Sequence, residues 1–215
     1  MLPRWNISKI PASEIWPLVH AERLALIDDL GTLTADQWEA PSLCSGWSIH
    51  DVAAHLVDNA RATIFRLLIA MAKAGFNFDR QNDQGVAAEK YATPDGTLQK
   101  LVKVAGLRDA PPGPVASRLV EEIAHGEDIR RAVGLKRDYP EMSLELAIKY
   151  QAATPQGVGG AKELARKVQL CSQDETFIWG IGPQIAGTRL ELLMLLSGRG
   201  KHARGLSGPG MAFVR

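Results

Sequence analysis

The spacing of apolar residues predicts two long helices in the first part of the chain. Residues 12–30 carry apolar side chains at intervals near 3.6 residues, and Gly31 supplies a stop signal. A second helix is predicted from Ser48 to Gly75, because no proline or glycine interrupts it. Ser48 and Asp51 have the spacing of a capping box, which marks the start of this helix.

The same pattern predicts two more helices before residue 140. A polar segment, residues 77–96, is predicted as a loop, and helices are predicted at about 96–107 and about 115–133. Gly134 ends the last of them. Four helices with one long connection predict an up-and-down four-helix bundle over residues 1–139.

The pattern changes in residues 140–215, where short β-type segments appear. A helix is predicted at about 143–153, followed by strands in "RKVQLCSQD", "ETFIWGIG" and "GPQIAG", and by an amphipathic helix in "TRLELLMLLSGRG". The prediction is therefore an α+β chain of two domains, a helical bundle followed by a small α+β domain.

Composition and charge narrow the function classes. With 25 basic and 24 acidic residues the chain has a net charge of +1 and no basic run, so no nucleic-acid partner is expected. No apolar run is long enough for a membrane span, and the N-terminus lacks the features of a signal peptide. The two cysteines lie far apart in the sequence and fit reduced thiols, so we expect a cytoplasmic protein. We also expect a monomer or a homodimer.

One helix carries a carboxylate and an imidazole at metal-binding spacing. Glu121 and His125 are four residues apart in "VEEIAHGED", so their side chains lie on one helix face. His55, beside the apolar face of the second helix, is the candidate third ligand, because bundles build metal sites from facing helices. Two histidines and one carboxylate form a catalytic ligand set for zinc and suit other divalent metals.

Other polar residues near the candidate ligands are open to more than one interpretation. Glu122 is the competing carboxylate, but a pairing with Arg118 would make it an exposed ion-pair member. Asp128 is a candidate acceptor for an imidazole N–H, and a capping or ion-pairing role is the alternative. Cys44 is read as a small buried side chain in preference to a reactive thiol. His20 and His50 are read as surface residues.

Three long segments resemble one known family. "LTADQWEAPSLCSGWSIHDVAAHL" and "VEEIAHGEDIRRAVG" resemble the actinobacterial mycothiol-dependent maleylpyruvate isomerase family, within the DinB-like superfamily of metalloenzymes. "LARKVQLCSQDETFIWGIGPQIAGTRLELLMLLSGR" resembles the C-terminal module of that family, which is related to the sterol-carrier fold. The resemblance extends over nearly the full length of the chain.

This resemblance implies both a site and a cofactor. It implies a DinB-like bundle with a divalent metal on His55, Glu121 and His125, with zinc as the first choice and nickel or another ion as alternatives. It also implies mycothiol as a small-thiol cofactor and an electrophilic substrate. A divalent ion stabilises a thiolate at neutral pH, and the thiolate can isomerise an activated double bond or be transferred to the substrate.

Two other functions remain open from the sequence. A metal-dependent hydrolase would use a bound water in place of the thiol. A non-catalytic protein would enclose an apolar ligand between the bundle and the sterol-carrier-like module. A dianionic substrate would require cationic partners, and the candidates are Arg61, Arg66 and Arg189. The alternative interpretation is that all three are charged surface residues.

Overall fold

The computed structural model of the protein describes residues 10–214, which form two compact units. The first unit spans Ser13–Lys136, and the second contains residues 10–12 and 137–214. The sequence predicts no signal peptide at the N-terminus. Residues 1–9, which belong to that segment, lie outside the residues that the structure describes. Among the described residues, no helix is both long enough and apolar enough to cross a bilayer.

The first unit is entirely helical. Its helices are α1 (Ala12–Gly31), α2 (Ala35–Glu39), α3 (Ile49–Ala60), α4 (Ile64–Lys73), α5 (Phe78–Glu89), α6 (Pro94–Val104) and α7 (Ala116–Val133). Gly134 ends α7 in the left-handed conformation, with φ of 76°, as a glycine after a helix commonly does.

Four of these helices, α1, α3, α6 and α7, share one hydrophobic core with the short helix α2. The core side chains are almost fully buried: Leu26, Leu30, Trp38, Ile49, Val52, Ala53, Leu56, Val57, Ala60, Leu101, Val104 and Ile129. Because α3 supplies half of them, it is the central helix of the bundle. The predicted four-helix bundle is thus present.

The predicted second helix is wrong in its length. It ends at Ala60, and a new helix, α4, begins at Ile64 after a short break. The Thr63 side chain accepts a hydrogen bond from the backbone N–H of Arg66 and so caps α4. A threonine cap inside an apolar stretch can end one helix and start another, even without proline or glycine.

The predicted loop at residues 77–96 is also wrong, because it contains α5. The Asn77 side chain caps this helix by accepting from the backbone N–H of Arg80. The helix is polar, and its only buried residues are Gln81, Val86 and Glu89, so it lacks the apolar stripe by which a helix is recognised from sequence.

The second unit is the predicted α+β domain. It contains α8 (Glu141–Ala153), α9 (Lys162–Ala165), β1 (Gln169–Ser172), β2 (Ile178–Gly180), β3 (Gln184–Gly187), α10 (Arg189–Met194) and a π-helical turn (Leu195–Arg199). The strands lie in the order β2–β1–β3, with β1 antiparallel to β2 and parallel to β3. Helices α8 and α10 contact each other, and α10 packs against β1 and β3.

Candidate metal centre

The first candidate ligand, His55, lies on a helix that begins with a complete capping box. Ser48 Oγ accepts from the backbone N–H of Asp51 at 3.2 Å, and Asp51 Oδ2 accepts from the backbone N–H of Ser48 at 2.9 Å. This predicted capping box fixes the first turn of α3. His55 follows on the buried side of the helix and is only 8% exposed.

The other two candidates, Glu121 and His125, project from one face of α7 towards His55. Glu121 Oε2 lies 3.5 Å from His125 Nε2 and 3.8 Å from His55 Nε2. The two imidazole rings are 4.8 Å apart between centroids and are inclined at 71°. The structure therefore brings together the three side chains that the spacing singled out.

The distances among these donor atoms suit a single metal ion. Zinc bonds nitrogen and oxygen at about 2.0–2.2 Å, so neighbouring donors of a tetrahedral site lie roughly 3.4 Å apart. The separations of 3.5 and 3.8 Å are close to that value without an ion. Two imidazoles and a carboxylate are also a donor set that zinc and related divalent ions accept.

Glu121 is oriented by a polar network on α3. Asn59 Nδ2 donates to Glu121 Oε2 at 2.8 Å, and Arg118 donates to the Asn59 side-chain oxygen. Asn59 lies one turn after His55, so the same face of α3 provides a candidate ligand and the support for another. The carboxylate oxygen that faces both histidines is thereby held in place.

His125 is supported from its other side. Its Nδ1 lies 3.1 Å from Asp128 Oδ2, and the thiol of Cys44 donates to the same oxygen at 2.9 Å. Cys44 Sγ is 3.5 Å from His125 Nδ1. Asp128 therefore takes the acceptor role, one of the two roles that the sequence left open. Cys44, read from the sequence as a small buried side chain, is instead partly exposed and contacts a candidate ligand.

The protonation states follow from burial and from the neighbouring charges. Burial lowers the pKa of His55 below its ordinary value, and the Glu121 carboxylate only partly offsets this. Burial alone would raise the pKa of Glu121, but His125 and His55 outweigh it and hold that pKa well below its usual range. Burial would also lower the pKa of His125, but Asp128, Cys44 and Glu121 hold it well above its ordinary value.

These directions describe the centre at neutral pH in the absence of an ion. The lowered pKa of Glu121 favours its ionised form, the lowered pKa of His55 favours the neutral ring, and the raised pKa of His125 favours the protonated ring. The buried Nδ1 of His55 has no hydrogen-bond partner among the described residues, which agrees with a neutral ring. The raised pKa of His125 means that an arriving cation competes with a proton on that ring.

A polar pocket of about 390 Å³ opens onto the two histidines. Its wall is formed by the turn before α3 and by α5, through Cys44, Ser45, Trp47, Asp79, Asn82 and Asp83. The Trp47 ring lies 5.1 Å from the His55 ring, and its indole N–H donates to Asp83 at 3.1 Å. This contact ties α5 to the turn, so the helix that the sequence did not predict supplies one side of the pocket.

Glu122 differs from its prediction as an exposed partner of Arg118. It is 3% exposed and accepts from Arg23 Nε at 2.7 Å across the bundle. His50 is likewise buried, between Glu39 and Thr97, and is not a surface residue. His20 is partly buried, with Nε2 at 3.2 Å from the carbonyl oxygen of Leu107.

The three candidate cationic residues all have acidic partners in their own unit. Arg61 donates to Glu89 at 3.0 and 3.2 Å, and Arg66 lies 3.8 Å from the same carboxylate. In the second unit, Arg189 donates to Asp174 at 2.9 Å. Neither Arg61 nor Arg66 lines the pocket at the candidate metal centre.

Sequence reasoning missed several residues of the site, and only some carried a signal. Asn59 could have been found, since it lies one turn beyond His55 on the same face. Asp79, Asn82 and Asp83 carried no signal, because their segment was predicted as a loop.

The comparisons with known proteins concern part of the first unit and the fold of the chain. Residues 19–111 match the family model described as the mycothiol maleylpyruvate isomerase N-terminal domain. No match was found among curated proteins. Two solved structures share the fold over 95% of both chains at 15% sequence identity. They are a histidine-to-alanine mutant of the mycothiol-dependent maleylpyruvate isomerase, with a TM-score of 0.67, and the mycothiol-dependent maleylpyruvate isomerase, with 0.60.

The family match covers α3, the pocket wall on α5 and most of the bundle, and the shared fold extends through the second unit. The match to the mycothiol maleylpyruvate isomerase N-terminal domain therefore covers less than half of the chain and ends before α7, and the two solved structures show a shared fold.

Proposed function

We propose that the protein is a metal- and mycothiol-dependent enzyme that acts on a small electrophile, as an isomerase or an S-transferase. The observation that carries the proposal is the convergence of His55, Glu121 and His125 beside a pocket that the two histidines line, in a chain whose residues 19–111 match the N-terminal domain of this family. Mycothiol enters from the names of the structural relatives, and the electrophile from the chemistry of a thiolate.

In this proposal each residue of the centre has a distinct task. His55 and His125 provide neutral imidazole nitrogens and Glu121 provides an oxygen for one divalent ion, zinc before nickel or another metal. A bound ion would supply the positive charge that keeps a thiol deprotonated at neutral pH. Trp47 covers the His55 ring, and Asp83 holds Trp47 in that position.

The pocket volume supports a small-molecule substrate. A space of about 390 Å³ lies within the range of pockets that bind small molecules, about 300–1,000 Å³. A second cavity, of about 360 Å³, is lined by residues of α3, α4 and α5, and none of the three candidate ligands lines it. The pocket at the histidines is therefore the one we assign to the substrate.

Metal content tests the ligand set. The purified protein should retain about one divalent ion per chain, and His55→Ala, Glu121→Ala and His125→Ala should each lose it, by elemental analysis. Glu122→Gln is the matched control, because this carboxylate is adjacent in sequence but faces Arg23. Loss of the ion in the control, or its retention in all three ligand variants, would contradict the assignment.

Thiol dependence tests the reaction class. Turnover of an activated alkene by the metal-loaded protein should require mycothiol, with isomerised substrate or thiol adduct as product. Activity on an ester or amide that is unchanged when the thiol is omitted would favour the hydrolase and contradict this part of the proposal. The metal assignment would stand in that case, because it is measured separately.

The compartment is also a proposal. Both cysteines, Cys44 and Cys171, are free thiols, which suits the reducing cytoplasm. Cell fractionation that finds the protein outside the cytoplasm would contradict it.

A further inference from the structure

We propose that Asp128 is the positioning residue of the metal centre, fixing the tautomer and the orientation of His125. The inference rests on the proposed function, since it concerns the same candidate ligand. It adds a residue that does not touch the ion or the substrate but decides which nitrogen of His125 is available to them.

The argument begins with the hydrogen-bonding capacity of the two groups. Asp128 has no exposed surface, and its Oδ2 lies 3.1 Å from His125 Nδ1. The same Oδ2 accepts from the Cys44 thiol at 2.9 Å, so a neutral imidazole that bonds to this acceptor oxygen carries its proton on Nδ1. The lone pair is then on Nε2, the atom 3.5 Å from Glu121 Oε2.

The opposite tautomer would lose the hydrogen bond to Asp128 and would turn an N–H, in place of a lone pair, towards Glu121 Oε2. With the proton on Nε2, an N–H would point to the place where the donors converge, and two lone pairs would face each other between Nδ1 and Asp128. A hydrogen bond to the second ring nitrogen is the usual device by which proteins orient a metal-binding histidine.

Asp128 is itself held from two directions. The Cys44 thiol donates to the same Oδ2 at 2.9 Å, and the backbone N–H of Leu43 donates to the Asp128 carbonyl oxygen at 3.1 Å. Ser42 Oγ accepts from the backbone N–H of Cys44 at 3.1 Å and keeps the turn in shape. The turn that precedes α3 thus fixes the carboxylate that orients His125 on α7.

The two histidines differ in the hydrogen bonding of Nδ1, so the effect of Asp128 should be specific to His125. The buried Nδ1 of His55 has no hydrogen-bond partner among the described residues. Loss of the Asp128 carboxylate should therefore change the tautomer of His125 and leave that of His55 unchanged. A general loosening of the bundle would not distinguish the two rings in this way.

The first experiment reads the tautomer without any metal. Long-range ¹H–¹⁵N correlation spectra of the histidine-labelled, metal-free protein are recorded at a pH where the rings are neutral. His125 should be protonated at Nδ1 in the wild type, and should shift towards the Nε2–H form in Asp128→Asn. An Nε2–H signal for His125 in the wild type would overturn the proposal, even if the variant did not fold.

The second experiment measures zinc affinity by competition with a chelator. Asp128→Asn should bind zinc about 10- to 100-fold more weakly, the usual cost of losing such a partner. Cys44→Ser, which keeps a donor, should stay near the wild-type affinity, and Cys44→Ala should fall between the two. The control is Asp29→Asn, which removes a carboxylate that accepts from the buried Arg130 at 2.6 Å and should leave zinc affinity unchanged.

The two measurements separate this inference from the proposed function. A wild-type protein that binds no zinc would contradict the metal site, yet the spectra would still report whether Asp128 sets the tautomer. Unchanged affinity in a folded Asp128→Asn, or an equal loss in Asp29→Asn, would overturn the positioning role itself.

Discussion

At the scale of single residues, the two adjacent carboxylates of α7 show how the fold assigns roles. Successive helical residues point about 100° apart, so Glu121 and Glu122 cannot face the same neighbours. Glu121 faces the histidines with a third of its side chain exposed, whereas Glu122 is buried against Arg23. The fold thus places one carboxylate against the two histidines and the other in the core.

Replacing Glu122 should affect stability and leave the metal in place. Glu122→Ala would leave the buried guanidinium of Arg23 without its carboxylate, and breaking such a pair costs about 3–5 kcal/mol. Urea unfolding should show this loss, while elemental analysis of the folded protein should show an unchanged metal content. A stability close to that of the wild type would mean that the pair contributes little.

The raised pKa of His125 predicts that metal binding releases a proton at neutral pH. The ring is protonated below its raised pKa and has to lose that proton, whereas His55, whose pKa is lowered, is already neutral. Affinity should therefore rise with pH until the pH passes the raised pKa of His125, and level off above it.

Calorimetric titration in two buffers of different ionisation enthalpy measures this release. The apparent binding enthalpy at pH 7 should differ between the buffers by an amount that corresponds to about one proton per ion. The titration is performed without thiol, because a thiol would release a proton of its own. Identical enthalpies in both buffers would contradict the predicted protonation of His125.

At the scale of elements, the start of α3 connects a sequence signal to the site. The Ser48 cap is local in sequence, and α3 in turn carries His55 and Asn59. The α5 wall of the pocket is instead fixed by contacts such as that between Trp47 and Asp83. One side of the site therefore depends on a local motif and the other on tertiary contacts.

Removing the cap of α3 should destabilise the first unit. Ser48→Ala leaves the backbone N–H of Asp51 without its side-chain acceptor and should cost about 1 kcal/mol in the free energy of unfolding. Ser48→Thr, which keeps the hydroxyl, is the matched control and should restore most of that loss. Equal unfolding midpoints for the alanine variant and the wild type would contradict the role of the cap.

In the second unit, Gly180 at the end of β2 is required for two reasons. Its φ is +84°, and a Cβ there would lie 2.6 Å from the carbonyl oxygen of Val168. Gly205 has a φ of +69° but open space around it, so it isolates the conformational effect. Gly205→Ala should cost about 1–2 kcal/mol through strain alone, and Gly180→Ala should cost clearly more.

Thermal unfolding of the two glycine variants tests this difference. The midpoint of Gly180→Ala should fall below that of Gly205→Ala, since only the former has a backbone oxygen in the way. Equal midpoints would show that the strand end moves to accommodate the methyl group.

At the scale of the whole molecule, all three candidate ligands and their supporting residues belong to the first unit. His55, Asn59, Glu121, His125 and Asp128 all lie within Ser13–Lys136. The predicted domain boundary at residues 139 and 140 lies three residues beyond the end of that unit. Residues 1–139 should therefore contain everything that the metal site requires.

A shortened protein of residues 1–139 tests both the boundary and the site. It should fold as a helical protein by circular dichroism and retain about one divalent ion, which His55→Ala should remove. A folded fragment without metal would mean that the second unit completes the site. A fragment that does not fold would contradict the predicted boundary.

The sequence by itself determined the features that depend on neighbours along the chain. The cap at Ser48, the stop at Gly134 and the shared face of Glu121 and His125 are all local, because helix geometry relates residues only a few positions apart. Most of the helices of the bundle and the three strands were predictable for the same reason. The resemblance of three long segments to a known family added the expected arrangement of these elements.

Only the tertiary structure decided which groups meet across the chain. The pairing of Glu122 with Arg23 joins residues 99 positions apart, and the bond between Cys44 and Asp128 joins residues 84 apart. Helix α5 was missed because a polar helix held by its neighbours has no apolar period of its own. Contacts of this kind depend on how the helices pack, so no local pattern along the chain could have shown them.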